Sequence, residues 1–523
     1  MQARLAKLVL LIAGAWAMMC FLPLSQATAE TILRRAVSSM PEELDPQKQS
    51  QSVQRQILND IFVGLTEIDQ TGQIVPGAAE SWQIADGGKT YIFKLRKNGR
   101  WQDGMPVHAQ DFVLAFERLF NLGNAARQVG LFSAISVTST QANIIRPAVD
   151  ALDALTLQIN LHQPFPHFLF VLAKPPAFPV PSHLYESLGE DWVLPENLIG
   201  NGAYQLASIE KKGHIIHLNR SPYFHKFRPD AAEKVQYLSP SGTMTIGRLM
   251  AAGLAEISSQ IPPFQRQAVQ NLPGFALQSQ PTPSLISILI NTNLQALKPL
   301  SVRKALYFAV DRNAINHTLN ADFIPVRGLV PPLEGYDSLL PDPVARETAI
   351  AMAQELMQAQ GYTSSNPLNL VLTIPDILSE KTLAAQIKRD LSRIYVQLDI
   401  ISLPFGELVQ NMGKGDFELV RRNWVADYPD PYNFLHIYRR QFNPVLFPGD
   451  DPNLDTLFTA AENSPENRLP LLRKAEAHLL EQYLVIPLFM RTTQYLVSDR
   501  ISGWSNTPWA ANASHWLTIK QAP

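Results

Sequence analysis

Four side chains that could hold a small charged molecule fall close together in RRNWVADYPDPYNFL, Arg421 to Leu435: Arg421, Asn423, Trp424 and Asp427. Asp427 stands in a loop stiffened by Pro429 and Pro431, so its carboxylate is a preorganised anion. In a dry cleft it would suit an ammonium group, because charge-assisted hydrogen bonds are strong there. Arg421 presents a planar fork suited to a carboxylate. An ammonium site and a carboxylate site so near each other would suit a zwitterion with separated ends, such as a short peptide. A second reading stays open: a proline-stiffened turn whose aspartates cap backbone amides, with Trp424 in the core.

Other chemistry finds little support. The chain has no G-x-S-x-G, H-E-x-x-H, P-loop or G-x-G-x-x-G. Its eleven histidines are scattered and its one cysteine is Cys20, so neither a thiolate-rich metal site nor an intrachain disulfide can be built. Acid pairs such as Glu42-Glu43, or Asp427 and Asp430, could suggest a glycosidase, but neighbouring acids are usually just solvated. The expectation is a protein that is not an enzyme and needs no cofactor or metal. A net charge of -2 over 523 residues argues against nucleic acid as a partner.

The N-terminus sets the compartment. Arg4 and Lys7 precede an apolar run, Leu8 to Leu24, and Ala27 and Ala29 make an A-x-A cleavage signal before Glu30. The run is short for a membrane span and is interrupted by Pro23, so residues 1–29 read as a signal peptide and the mature chain as secreted. Lipid attachment at Cys20 is the alternative.

The elements that must position the candidate residues follow from periodicity. After an extended segment through Asp45-Pro46, Val53, Ile57, Ile61 and Leu65 share one face of a helix. TYIFKL alternates after the turn Asp86-Gly87-Gly88, and Phe112, Ala115, Phe116 and Leu119 mark a second helix. From Leu285 onward, strands such as LISILIN, LNLVLTI, VQLDIISL and FELVRRNWVADY (which opens on the strand-like FELV, Phe417–Val420) alternate with helices, among them one helix over SVRKALYFAVDRNAINHTL. That alternation predicts an α/β domain on a mostly parallel sheet. VIPLFMRTTQYLV reads as one further strand. Two mixed lobes with the chain crossing between them describe a clamshell.

With these elements in place, the chain resembles the extracellular solute-binding proteins that include the periplasmic oligopeptide- and dipeptide-binding proteins of ABC importers. The resemblance runs through LDPQ (Leu44–Gln47), the block Gly64 to Leu119, NGAYQL (Asn201–Leu206), VRKALYFAVDR, AQELMQAQGY and WVADYPDPYNFL, in order. It implies a two-lobed periplasmic-binding-protein clamshell with an extra inserted domain: residues 30–62, 182–284 and 495–523 in lobe I, 63–181 in the inserted domain and 285–494 in lobe II. It implies periplasmic location, a monomer, a peptide ligand and an inner-membrane ABC permease as partner. It further implies that Asp427 meets the ligand α-amino group, Asn423 pairs with the ligand main chain, Arg421 meets its carboxylate, Trp424 lines the cleft and the extended segment around Ser52 lies on the ligand's other side. Two departures from the enteric oligopeptide binder stand out: Ser284 and Val425 occupy the places of a cysteine pair, and Ser379 the neighbourhood of a ligand-holding histidine. An opine, a murein peptide or a dipeptide is the alternative cargo within the family, and a secreted hydrolase the alternative outside it.

Overall fold

The computed structural model describes residues 31–520, apart from 140–143, 211–213, 229, 242–244, 263–264, 334, 337–343 and 440–450. The signal-peptide reading and Cys20 lie outside the described residues. The first strand, β1 (Ile32–Ala36), is followed by an extended stretch and then helix α1 (Ser52–Ile61), whose first turn is fixed by Gln54 accepting from the backbone amide of Gln51. The chain then leaves for a second sheet built from β2 (Ala79–Ala85), β3 (Thr90–Leu95), β4 (Val149–Asp153) and β5 (Thr156–Asn160), in the order β2-β3-β5-β4. The β2–β3 turn needs left-handed backbone at Asp86, Gly87 and Gly88, which the two glycines adopt without strain. Helix α2 (Ala109–Asn121) covers this sheet with Phe112, Ala115, Phe116 and Leu119.

The chain returns through β6 (Tyr204–Glu210), β7 (Ile215–Arg220) and β8 (Lys234–Leu238) to a sheet ordered β1-β8-β7-β6. The NGAYQL segment clamps the exit of α1. Asn201 Nδ2 donates to the Val63 carbonyl at 2.9 Å, and its Oδ1 accepts from Val63 N at 3.0 Å. Gly200 passes so close that a Cβ there would meet the Ile61 carbonyl at 1.9 Å. One apolar core runs unbroken from Leu33 and Tyr237 through Ile57 to Phe93 and Phe116, so the inserted sheet and the first sheet share their packing.

Strand β9 (Phe275–Pro281) carries the chain to the other lobe, which begins at β10 (Ser284–Ile290), buried at every residue on both faces. Its partners are β11 (Ile324–Pro325), β12 (Leu368–Pro375), β13 (Val396–Leu403), β14 (Leu419–Val425) and β15 (Val485–Met490), in the order β11-β15-β10-β14-β12-β13. The expected mostly parallel sheet is corrected here. β10 runs antiparallel to both its neighbours, and only β14–β12 and β12–β13 are parallel pairs, because β10 and β15 are the strands that enter and leave this lobe. The single helix expected from SVRKALYFAVDRNAINHTL is two, α3 (Leu300–Ala309) and α4 (Arg312–Thr318), since Asp311 caps a new start by accepting from Ala314 N. The strand expected at VIPLFMRTTQYLV divides at Arg491: β16 (Thr492–Ser498) leaves the sheet and pairs antiparallel with β9.

The C-terminal return is pinned to α1. Buried Asp60 accepts from Tyr237 Oη at 2.7 Å, from Ser514 N at 2.7 Å and from Ser514 Oγ at 2.6 Å. A second buried polar knot explains the LDPQ segment. Arg118 of α2 donates through Nη1 to Asp45 Oδ1 at 2.9 Å and to Gln47 at 2.9 Å, and through Nη2 to Asp45 Oδ2 at 2.6 Å. Removing one partner of a buried pair strands the other, so Arg118→Ala should cost about 3–5 kcal/mol, read as a fall in urea midpoint or Tm. Arg393→Ala, which breaks an exposed bridge to Glu347, should cost within about 1 kcal/mol. Equal effects of the two substitutions would contradict this account of the knot.

Candidate functional site

A cavity of about 880 Å³ lies between the lobes, of the size that small-ligand sites occupy. One wall comes from α1, where Ser52, Arg55 and Asn59 face outward from the core side held by Val53, Ile57 and Ile61. Ser52 is therefore the first residue of a helix rather than part of the extended segment. Aromatic rings of Phe170, Phe178, Phe489, Trp504 and Trp509 supply apolar surface from both lobes and the C-terminal return.

The opposing wall is β14. It spans Leu419–Val425, inside the expected FELVRRNWVADY. Alternation then separates the candidates onto two faces. Arg421 and Val425 line the cavity, and Asn423 shares their face. Trp424 does not line it. Its indole packs on the other side with Arg422 5.3 Å above the ring, His436 edge-on at 6.0 Å, and Nε1 donating to Asn433 Oδ1 at 3.3 Å. The expectation for Trp424 is corrected by that register. Ser284 and Val425, which replace the cysteine pair, are cross-strand partners on β10 and β14. Only Leu419 and Val420 of β14 pair with β12, so from Arg421 to Val425 one strand edge has no strand partner among the described residues.

Arg421 is buried and donates to Glu380 on α5 (Leu378–Ser392). Burial lowers its pKa, Glu380 opposes that, and the positive Arg491 adds to the lowering. Arg421 Nε, Glu380 Oε2, Asn423 Oδ1 and Ser259 Oγ are buried with no hydrogen-bond partner. Unpaired buried polar atoms are costly, and here they cluster where a ligand or ordered water would meet them.

The two aspartates of the loop after β14 differ in their surroundings. Asp430 is buried and capped into structure: it accepts from Tyr432 N at 2.7 Å, from Arg468 Nη2 at 2.8 Å, and has His167 Nε2 at 2.6 Å from Oδ2. Burial alone would raise its pKa, but the hydrogen bonds from His167 and Arg468 hold it below the usual carboxylate range. This is the capping role that the turn reading anticipated. Asp427 keeps 44% of its side chain exposed, and Lys174 Nζ stands 3.7 Å from its Oδ1. Lys174 is only 16% exposed. Burial pushes its pKa down to about 8, Asp427 restores part of the loss, and the neighbouring Arg55 lowers it further. Lys174, Arg55 and Arg491 were not singled out from sequence. The one available signal was the charge of Lys174 inside the proline- and aromatic-rich run FLFVLAKPPAFPVP.

Known proteins share this fold. The model of the bacterial extracellular solute-binding proteins, family 5 Middle, matches residues 73–444. The chain is 30% identical over 492 residues to the probable deoxycholate-binding periplasmic protein YgiS of Escherichia coli, covering 91% of each. It is 28% identical to the periplasmic oligopeptide-binding protein OppA of Escherichia coli, covering 95% of this chain and 94% of that one. Among solved structures, the unliganded open form of the murein tripeptide-binding protein MppA, from Escherichia coli, superimposes with a TM-score of 0.81 at 26% identity, covering 94% of this chain and 98% of the other.

The Lys174 environment is testable by itself. With a pKa of about 8, roughly half of its amines are neutral at pH 8, against about one in a hundred or fewer for an ordinary lysine. A small acylating reagent should therefore modify Lys174 ahead of surface lysines in peptide-mapped mass spectra. Asp427→Asn removes a group that raises the pKa, so it should speed the modification further. A rate at Lys174 like that of surface lysines, unchanged by Asp427→Asn, would contradict the assignment.

Proposed function

Because the chain belongs to the bacterial extracellular solute-binding proteins of family 5, we propose that it captures peptides in the cleft between its lobes and delivers them to an ABC importer of the inner membrane. It acts in the periplasm, as a monomer, and performs no covalent chemistry. The observation that carries the peptide reading is the free strand edge of β14 from Arg421 to Val425, exposed to a cavity of about 880 Å³. An extended peptide can add there as a further strand, its main chain paired with β14 and with Asn423, and its side chains in apolar pockets. Ser52 and the outward face of α1 form the other side of the slot. Main-chain pairing is indifferent to sequence, as suits a scavenger of mixed peptides. OppA and MppA are named for such ligands.

A second reading keeps the fold and changes the cargo. YgiS is named as a probable deoxycholate binder, and a cavity walled by aromatic rings and basic side chains also suits an apolar carboxylate of that kind.

Native mass spectrometry of the protein purified without denaturation tests the proposal, with peptides expected among the co-purifying cargo. Calorimetry should show that a peptide whose alternate amides are N-methylated binds about 10-fold or more weakly than its parent, since several main-chain hydrogen bonds are lost together. Small-angle scattering should show a smaller radius of gyration with saturating peptide, as ligand touching both lobes favours closure. Cargo free of peptides, with tight binding indifferent to N-methylation, would overturn the strand-addition reading.

A further inference from the structure

On the reading that the cleft is the ligand site, the charges on its walls narrow the ligand class. Five cationic side chains line the cavity, namely Arg35, Arg55, Lys174, Arg421 and Arg491, against two carboxylates, Glu67 and Glu380. Both carboxylates are already engaged. Glu67 has Lys226 at 3.3 Å and His515 at 2.6 Å, and Glu380 holds Arg421. Asp427, which is not itself a lining residue, faces Lys174, which is. Among the described residues, Arg35, Arg55 and Arg491 have no carboxylate within ion-pair distance, and Arg35 instead donates to the Asn512 carbonyl at 2.8 Å and to Ser514 Oγ at 3.0 Å. With Arg35 held by the C-terminal return, the other four cations divide two to an acid: Lys174 and Arg55 opposite Asp427, and Arg421 and Arg491 beside Glu380. Both walls are left with one uncompensated positive charge.

We propose that the ligand is selected by an anionic group, a carboxylate taken by Arg491 with Arg55 as the second cation, and that a free amine is dispensable because Lys174 already occupies the ammonium position at Asp427. Arg421, which the sequence points to as the carboxylate partner, is instead held by Glu380 and serves the wall's geometry. Arg491 is well placed for the role. It is the residue at which the chain passes from β15 to β16, its carbonyl accepts from Thr282 N at 2.8 Å and its amide meets Ser284 Oγ at 3.3 Å. An anion bound there touches the crossing between the lobes and is not merely a guest of one wall. The proposal rests on the cleft being the ligand site, but not on the ligand being a peptide.

The test is a panel of four probes titrated by calorimetry: an apolar tripeptide with both ends free, its N-acetyl form, its C-terminal amide, and deoxycholate as an amine-free carboxylate. N-acetylation should change affinity by less than about 3-fold, whereas amidation should weaken it by about 10-fold or more, as loss of a desolvated charge pair does. Arg491→Gln should weaken the free acids by a similar factor and leave the amide unchanged, bringing acid and amide together, and Glu407→Gln on an outer helix serves as a surface control. Binding of deoxycholate with no peptide binding supports the inference and removes the peptide reading. Peptides that bind regardless of the C-terminal cap but are lost on N-acetylation would overturn the inference and return Asp427 to the amine, with the peptide reading intact. If none of the four binds and the co-purifying cargo carries no acid group, both readings fall.

Discussion

Two neighbouring strands, β9 and β16, carry the chain out of one lobe and back, and their antiparallel pairing from Phe275↔Ser498 to Pro281↔Thr492 is the constraint on which the rest of the molecule depends. Because both crossings run side by side, the lobes can differ in angle only through the few residues between β9 and β10 and between β15 and β16. That is the geometry of a hinge, in which a few element-terminal positions absorb the backbone change while the cores on either side stay packed. The same residues, Thr282, Pro283 and Arg491, line the cavity. Ligand contacts at the back of the cleft and the angle of the lobes are therefore one problem.

The cleft's polar groups divide by whether the protein itself answers them. Asp45, Asp60 and Asp430 are buried acids with full sets of donors, and each fixes one piece of scaffold: the LDPQ segment to α2, the C-terminal return to α1, and the loop after β14 to Arg468. Such groups are satisfied before any ligand arrives. Among the atoms left without partners, Arg421 Nε, Glu380 Oε2 and Ser259 Oγ belong to residues that line the cavity. Satisfied polar knots specify a structure, while unsatisfied ones at a cavity mark where a partner belongs.

Much of this was legible in the sequence where the signal is local. The helical face of Val53, Ile57 and Ile61, the Asp86-Gly87-Gly88 turn and the strand at Thr90–Leu95 are short-range patterns, and they stand where periodicity puts them. The crevice, the two-lobed arrangement and the loop bearing Asp427 followed from ordered motifs. What was not legible depends on contacts between distant segments. FELVRRNWVADY reads as a strand, but without the register that its pairing with β10 fixes, the sequence does not show that Trp424 faces away from Arg421. Arg312 was read as the interior of a helix, although Asp311 is a cap whose backbone amide is held by Asp390, about eighty residues on. The pairing of Lys174 with Asp427 joins residues more than two hundred and fifty positions apart, and no periodicity reports it.

That pairing, with its neighbour at Asp430, also bears on how the cleft can open. Asp430 joins His167 on one lobe to Arg468 on the other. If the lobes part, it loses His167 but keeps Arg468 and the amide of Tyr432, so no bare buried carboxylate is created and the loss is small. Lys174 and Asp427 behave differently. Asp427 is half exposed and regains water when they separate, whereas Lys174 remains beside Arg55 with its main counter-charge gone. A cation left in that state gains most from an arriving anion. The same contact that helps hold the loop on the closed side therefore leaves, on the open side, a wall prepared for the charge of a ligand.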